Sequence, residues 1–307
     1  MIKRILIIGL FVLPAITSCS QKVNQVKVLN DLKELSSDAY EGRKVDTKGG
    51  EKAAEFIIKR YHDLGLLAYD KDYRQNFTFT GRDGQVVHGK NIIGFLKGKT
   101  DQVIVISAHY DHLGIIKGEI YNGTDDNASG TCGLLAFAEY FSKHQPQHTL
   151  IFAAFDAEEE GLQGSKYFVN HPTVPLSQIG LNINMDMIAH NDKNELYACG
   201  TFEFPELKKF IFNNSDKPKI LFGHDDPKQG HDDWTNQSDQ GSFYAKKIPF
   251  IYFGVEDHKD YHQPTDEFKN INQEFYVNSV KAILQVIKNF DKNYSVQTVF
   301  KNNQIMK

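Results

Sequence analysis

Histidines and carboxylates are concentrated in a few short segments of this sequence. These segments are residues 108–112, 123–130 and 156–161, Asp186, and residues 257–266. Neutral imidazole and carboxylate oxygens are the usual protein ligands of zinc and similar divalent ions outside thiolate sites. The chain has 3 cysteines, and they are not in ligand spacing. The segments therefore predict a divalent metal site built from histidine, aspartate and glutamate side chains.

Each of these carboxylates has a simpler explanation when it is taken alone. An aspartate can lie in a solvated turn or cap a helix, and an acidic residue in a first helical turn is favourable for electrostatic reasons. For any single residue this explanation is at least as good as a ligand role. The metal hypothesis therefore depends on the joint pattern of five segments.

Short apolar runs alternate with helical patterns along most of the chain. Strands are predicted at residues 91–96, 103–107, 150–155, 180–185 and 249–253. Apolar residues at helical spacing predict helices at residues 26–35, 53–64, 128–142, 161–170, 205–213 and 273–290, and residues 77–87 read as a hairpin. This alternation predicts an α/β fold with a doubly wound, mostly parallel central sheet and helices on both faces, arranged in three layers.

The predicted sheet brings the polar segments together. Four of them directly follow strands that end near residues 107, 155, 185 and 253. In an open α/β sheet, ligands bind at the carboxyl ends of the strands, because the helical crossovers bring those ends to one edge. Residues 123–130 open a helix between the first two of these strands, where Asp126 or Asn127 can cap it. We therefore expect one site at this edge.

Composition and charge exclude several classes of protein. The 307 residues are 40% hydrophobic and 24% charged, which excludes disordered, collagen-like and disulfide-dense small proteins. The formal net charge is -4, and no block of lysine and arginine occurs outside the extreme N-terminus. The sequence therefore does not predict a basic surface that would bind nucleic acid, and no nucleic-acid partner is expected.

The N-terminus has the layout of a secretory signal. Lys3 and Arg4 precede an apolar run at residues 5–13, which is too short to span a bilayer comfortably. The ending Ile-Thr-Ser-Cys at residues 16–19 resembles the lipobox of bacterial lipoproteins. Residues 1–18 are thus predicted to be a lipoprotein signal peptide, and lipidated Cys19 is predicted to anchor an exported protein to a membrane, in the periplasm or at the cell surface. The alternative is an ordinary signal with a chance cysteine.

Two cysteines, Cys132 and Cys199, remain in the predicted mature chain. Export to an oxidising compartment would permit a bond between them, and two buried free thiols are equally compatible with the sequence.

The motifs resemble those of the co-catalytic zinc aminopeptidases of peptidase family M28, and they occur in the same order. They are HYD at 109–111, GTDDNASG at 123–130, DAEEEGLQGS at 156–165, NMD at 184–186 and YH at 261–262, preceded by DAYEGR at 38–43. The resemblance covers nearly the whole mature chain. It implies the zinc-dependent exopeptidase type of fold and a single peptidase domain over residues 19–307. No large insertion lies between residues 67 and 91, so no protease-associated domain is expected there.

The resemblance also implies a ligand set for two zinc ions. One ion would be held by His109 and Asp186, the other by Glu159 and His262, and Asp126 would bridge both. A carboxylate suits the bridge because each of its oxygens can bind one ion. The family pattern, not the spacing, assigns the bridge to Asp126 rather than Asp125.

Three further residues receive catalytic roles from the same pattern. Glu158 lies beside a ligand without being one, and as a general base it would transfer a proton to the leaving amine. Asp111 would accept the second ring N–H of His109 and so orient the imidazole. Tyr261 would donate a hydrogen bond to the developing oxyanion, although a half-buried tyrosine at a strand end explains it equally well.

Two features receive no ligand role from the family pattern. His112 completes the HYDH string and is expected to contact the metal-binding residues rather than a metal ion. The chain has Ser-Asp-Gln at residues 238–240 where many members of the family have Ser-Asp-His, so a contact behind the ligands or in the pocket is expected to differ.

The activity that the resemblance implies is that of an exported metallo-aminopeptidase acting on peptide substrates. The closest alternative is glutaminyl-peptide cyclotransferase, which shares the fold, uses a single zinc and usually has tryptophan at the position of Tyr261. A carboxypeptidase would need a cationic pocket, which the sequence does not locate. A non-catalytic metal-binding lipoprotein would not require Glu158. Specificity depends on loops around residues 202–204, 222–226 and 230–243, whose conformation cannot be read from sequence.

Overall fold

The computed structural model describes residues 23–295. The predicted signal peptide and Cys19 lie outside the described residues. No helix within residues 23–295 combines the length and the apolar character that crossing a membrane requires. Cys132 and Cys199 are both buried, and neither forms a disulfide.

A mixed sheet of eight strands forms the centre of the fold. Its members are β1 (Arg74–Thr80), β2 (Val86–Leu96), β3 (Thr100–His109), β6 (His148–Phe155), β7 (Ile179–Met185), β8 (Glu195–Cys199), β9 (Lys219–Phe222) and β10 (Phe250–Gly254). The order across the sheet is β1-β2-β6-β3-β7-β10-β8-β9. A separate two-stranded ribbon consists of β4 (Gly114–Ile116) and β5 (Glu119–Tyr121).

The four central strands, β6, β3, β7 and β10, run parallel. Every residue of β6 and β7 is buried, as their continuous apolar sequences predict for strands covered on both faces. Antiparallel pairs occur towards the edges, where β1 pairs with β2, β2 with β6, and β8 with β10. The parallel centre directs the carboxyl ends of four strands to one edge.

Helices cover both faces of the sheet. They are α1 (Gln25–Leu35), α2 (Lys48–Asp63), α3 (Gly130–Ser142), α4 (Gln163–Asn170), α5 (Gln240–Ala245) and α6 (Gln273–Asn293). Alternate side chains of β3 point to the helical layers on the two faces of the sheet. Ile104 and Ile106 pack with α1, α2, α3 and α6 on one face. Val103 and Val105 pack with α4 and α5 on the other. Burial of each such side chain contributes roughly 1.5–3 kcal/mol. The predicted three-layer α/β fold is confirmed.

Two predicted elements differ in detail. The helix predicted at 205–213 is a short 3-10 segment, Pro205–Phe210, which ends where Ile211 leaves the helical conformation (φ -93°, ψ 84°). The helix predicted from residue 128 begins at Gly130, because residues 124–129 form a wide turn in which Asp126 and Asn127 are not helical. Asn127 nevertheless caps the helix, since its Oδ1 accepts from the Gly130 N–H at 2.9 Å.

Candidate metal centre

The polar segments do meet at the carboxyl edge of the parallel strands. His109 is the last residue of β3, Asp186 follows β7, and Glu158 and Glu159 lie on the turn that follows β6. Asp126 reaches the same place from the turn before α3. The position of the site within the fold is therefore the one that the strand pattern predicts.

His109, Asp126 and Asp186 form the first group of metal-binding donors. Nε2 of His109 lies 3.2 Å from Oδ1 of Asp186 and 3.5 Å from Oδ1 of Asp126. All three side chains are buried. One nitrogen and two carboxylate oxygens thus face a common point, which is a donor set that suits zinc.

The second group of donors surrounds the other oxygen of Asp126. Nε2 of His262 lies 3.1 Å from Oδ2 of Asp126 and 3.4 Å from Oε2 of Glu159. His112, Asp126 and Glu159 also have donor atoms close enough to share an ion, with Nδ1 of His112 at 2.8 Å from Oε1 of Glu159. Asp126 is therefore common to both groups, and the structure adds His112, which sequence reasoning had placed outside the ligands.

The residues of the centre fit divalent cations. The contact between His112 and Glu159 lacks hydrogen-bond geometry, so both ring nitrogens of His112 and Oε1 of Glu159 are buried without a hydrogen-bond partner in residues 23–295. Such atoms need another partner, because an unpaired buried polar group is costly. Burial, together with the charge of Glu159, also raises the pKa of Asp126. Cations bound between these carboxylates would relieve both costs.

Glu158 belongs to neither group of donors, as its predicted role requires. The side chain is partly buried and lines the cleft above the centre. Burial, and after it the carboxylates of Asp186, Asp239 and Glu159, raise the pKa of Glu158 well above its ordinary value. A carboxyl group in these surroundings holds a proton more readily than an exposed one, which suits a residue that takes up and releases protons.

Asp111 holds the turn that carries Glu158 and Glu159. Its carboxylate accepts from the main-chain N–H groups of these two residues at 3.1 and 3.3 Å. The atom of Asp111 closest to Nδ1 of His109 is the main-chain oxygen at 3.2 Å, while the carboxylate is 3.6 Å away. Asp111 thus makes the expected contact with His109 through its main-chain oxygen. Its carboxylate instead binds the turn that follows β6.

The loop that carries Tyr261 and His262 is tied to the Asp126 turn. The carboxylate of Asp266 accepts from the N–H groups of Asp125 and Asp126 at 2.9–3.1 Å. The ring of Tyr261 stacks on that of His262, with 4.0 Å between centroids. These contacts fix two ligands from distant parts of the chain relative to each other, and sequence reasoning did not single out Asp266.

Arg43 is a fully buried residue whose role the sequence did not reveal. Its guanidinium donates to the main-chain oxygens of Leu35, Tyr110, Asn122 and Gly123 at 2.5–3.2 Å. Tyr110 follows His109 directly, and Gly123 begins the turn that leads to Asp126. Arg43 therefore holds two of the three segments that supply donors to the first group.

The departure at residues 238–240 affects contacts behind the centre. Oε1 of Gln240 accepts from the side chain of Asn184 at 2.9 Å, and Ser238 accepts from the same amide group at 3.1 Å. Asp239 is fully buried, and neither of its carboxylate oxygens has a hydrogen-bond partner in residues 23–295. Burial raises the pKa of Asp239 to about 7. Gln240 belongs to neither donor group.

A cleft of about 390 Å³ opens over the centre. Its walls are formed by Arg82, Asp126, Glu158, Glu159, Gly161, Leu162, Lys166, Asp186, Met187, Asn236, Gln237, Tyr261 and His262. The cleft thus gives access to both donor groups, to Glu158 and to Tyr261, so a substrate can reach all of them at once.

This sheet, with metal donors at the carboxyl ends of its parallel strands, has the fold of zinc-dependent exopeptidases. A leucine aminopeptidase precursor from Bacteroides thetaiotaomicron is similar in structure, with a TM-score of 0.70 and 18% identity over 88% of this chain and 98% of that chain. A glutaminyl cyclase from Porphyromonas gingivalis has a TM-score of 0.71 and 15% identity over 86% of this chain and 98% of that chain. At these identities the likeness shows the fold alone.

The sequence profile of peptidase family M28 matches residues 91–287, a range that contains both donor groups and Glu158. The chain belongs to peptidase family M28, which confirms the resemblance of its motifs. Aminopeptidase Y of Saccharomyces cerevisiae is 27% identical over 250 residues, covering 75% of this chain and 44% of that protein. The chain spans about half or less of the length of the curated relatives it matches. Family membership and the aminopeptidase relatives support a zinc metallopeptidase.

Proposed function

We propose that this chain is a metallo-aminopeptidase that removes N-terminal residues from peptides at a centre for two zinc ions. The observation that carries the proposal is the position of Asp126, whose Oδ1 faces His109 and whose Oδ2 faces His262. A carboxylate shared in this way could hold two ions, because each of its oxygens would be available to one of them. One ion would be held by His109, Asp126 and Asp186, and the other by Asp126, Glu159 and His262, with His112 beside them.

Zinc at this centre would act as a Lewis acid that polarises a carbonyl oxygen and lowers the pKa of water towards 7. The side chains around the centre would transfer the proton and stabilise the developing negative charge. Glu158 would take up a proton from the attacking water and return it to the leaving amine. Tyr261 lines the cleft, where its hydroxyl can donate to an oxygen that gains negative charge. Asp186 and Glu158 both line the cleft, and their carboxyl oxygens can accept hydrogen bonds from a free ammonium group on the substrate.

A second candidate function is that of a glutaminyl cyclase, because glutaminyl cyclases share the fold. Two features of this chain support the peptidase instead. The position before the last histidine is Tyr261, where cyclotransferases usually have tryptophan, and the donors form two groups rather than one. The assay below separates the two reactions.

The proposal is tested by hydrolysis of a panel of aminoacyl amides and their N-blocked counterparts. We expect release from free-amine substrates only, loss of activity with a chelator, and recovery when zinc is returned. Glutaminyl peptides are assayed for pyroglutamate in parallel. Formation of pyroglutamate without hydrolysis would identify a cyclotransferase, and hydrolysis of N-blocked dipeptides would identify a carboxypeptidase.

The number of ions is measured in the same protein by mass spectrometry of its metals. The expected content is two zinc ions per chain. Asp126→Ala removes the donor common to both groups and is expected to lose both ions, whereas Glu160→Gln changes a neighbouring carboxylate outside the groups and is expected to keep both. A content of one ion in the parent protein would contradict the two-zinc centre.

We further propose that the protein is exported as a lipoprotein, with residues 1–18 removed and Cys19 lipidated. The support is the basic start, the short apolar run and the lipobox-like ending. Cys19→Ala is expected to move the protein from the membrane fraction to the soluble fraction of cells. An unchanged distribution would contradict the anchor.

A further inference from the structure

The cleft over the metal centre carries charges of both signs. Carboxylates of the centre form part of its wall, and two cations, Arg82 and Lys166, line the same space. The other lining side chains outside the centre are neutral. A cleft of this kind is complementary to a ligand with a positive group at one point and a negative group at another.

Arg82 reaches the cleft from the turn that joins β1 and β2. Its Nη2 donates to the main-chain oxygen of Glu159 at 3.0 Å, which places the guanidinium next to the backbone of a predicted ligand. Its Nε lies 3.6 Å from a carboxylate oxygen of Glu160, and the side chain is 81% exposed. A guanidinium has five N–H donors in a planar fork that matches a carboxylate, so most of them stay available to a ligand.

Lys166 reaches the cleft from α4. Its ammonium group donates to the main-chain oxygen of Gly161 at 2.9 Å. Throughout residues 23–295, no carboxylate oxygen lies within 4.0 Å of this nitrogen, in contrast to Lys52, Lys59 and Lys90. The charge of Lys166 is therefore not compensated by the protein, and two of its N–H groups are available.

We propose that Arg82 and Lys166 bind the C-terminal carboxylate of short peptides, so that the enzyme acts preferentially on dipeptides and tripeptides. This inference depends on the proposed aminopeptidase function, which places the substrate ammonium group near Glu158 and Asp186. The remainder of the substrate then extends towards the cations. The volume of about 390 Å³ lies at the lower end of the range for small-ligand sites, which suits a peptide of two or three residues.

The test compares peptide acids with their C-terminal amides. The substrates are Leu-Leu and Leu-Leu-Leu, the amide of each, Leu-Asp amide and N-acetyl-Leu-Leu. We expect kcat/KM for each acid to exceed that for its amide by about three- to tenfold, the range that one or two solvent-exposed ion pairs supply. The preference is expected to fall at high salt, because exposed charges are screened.

Variants test whether Arg82 and Lys166 cause the preference for peptide acids over their amides. Arg82→Gln and Lys166→Gln are each expected to raise KM for the acids and to lower the ratio of kcat/KM between each acid and its amide, and the double variant is expected to bring this ratio to about one. Lys228→Gln, which changes an exposed lysine outside the cleft, serves as the matched control and is expected to keep it.

Each contrary result has a separate meaning. Equal kcat/KM for acid and amide in the parent protein, or an equal loss for both in the variants, would overturn the inference while leaving the aminopeptidase intact. A preference for Leu-Asp amide over Leu-Leu amide that disappears in the variants would assign the cations to an acidic side chain and overturn the short-peptide assignment. Cleavage of N-acetyl-Leu-Leu, or cleavage of no substrate, would reject the proposed function itself.

Discussion

Replacement of Glu158 by glutamine is expected to abolish hydrolysis while the zinc content and the fold stay unchanged. Glu158 lines the cleft and belongs to neither group of donors. Glutamine has nearly the same size but cannot take up a proton at neutral pH. Loss of a general acid–base residue costs roughly 10²–10⁴-fold in rate. We therefore expect kcat to fall by about 10³-fold or more for free-amine amides, with a small change in KM.

Glu160→Gln is the matched control for this prediction. Glu160 is the next carboxylate but one in the same run, and its nearest charged neighbour is Arg82 at 3.6 Å. Its replacement is expected to leave kcat for amide substrates within a factor of about two, because Glu160 belongs to neither donor group and does not line the cleft. If Glu158→Gln kept a tenth of the parent activity with both ions bound, the assignment of the general base would be wrong.

Replacement of Arg43 by methionine is expected to lower the free energy of unfolding by about 3–5 kcal/mol. The guanidinium donates to four main-chain oxygens, and methionine would remove this donor from each of them, although the oxygen of Gly123 also accepts from the Ala128 N–H at 3.2 Å. Each unsatisfied buried acceptor costs about 1–3 kcal/mol before the structure relaxes. Urea titration followed by circular dichroism measures the change.

Two further variants make the interpretation specific. Arg43→Lys keeps the charge but offers three donors in place of five, so we expect it to restore only part of the stability. Arg82→Met removes an arginine that is 81% exposed, and its effect is expected to stay within about 0.5 kcal/mol. A loss of less than about 1 kcal/mol in Arg43→Met would show that the backbone segments hold one another without the guanidinium.

The sequence was most informative where chemistry and secondary structure coincide. His109, Asp186 and the run that contains Glu158 each follow an apolar strand, so the fold pattern alone brought them to one edge. The roles of Arg43 and Asp266 could not be predicted in that way. Apart from the bond of Arg43 to Leu35, both residues bind main-chain atoms 67–141 positions away. The sequence does not indicate which main-chain oxygen or N–H a side chain will bind.

Other parts of the site depend on loop conformation. His112 enters the second group of donors because the chain after β3 turns back towards Glu159, and its spacing in HYDH did not distinguish a ligand from a neighbour. The cations of the cleft were missed for a similar reason. Arg82 lies on a hairpin turn far from every motif, and only the position of that hairpin beside Glu159 brings it to the cleft.

The contacts of Arg43 and Arg82 determine how far the chain can be shortened without loss of the site. The segment that matches the family begins at residue 91 and includes every metal donor. A chain shortened to residues 91–287 would nevertheless lose β1, both arginines and helices α1 and α2, whose side chains fill one face of the sheet. The contacts that hold the donor segments in place therefore extend beyond the segment that defines the family, into residues that precede position 91.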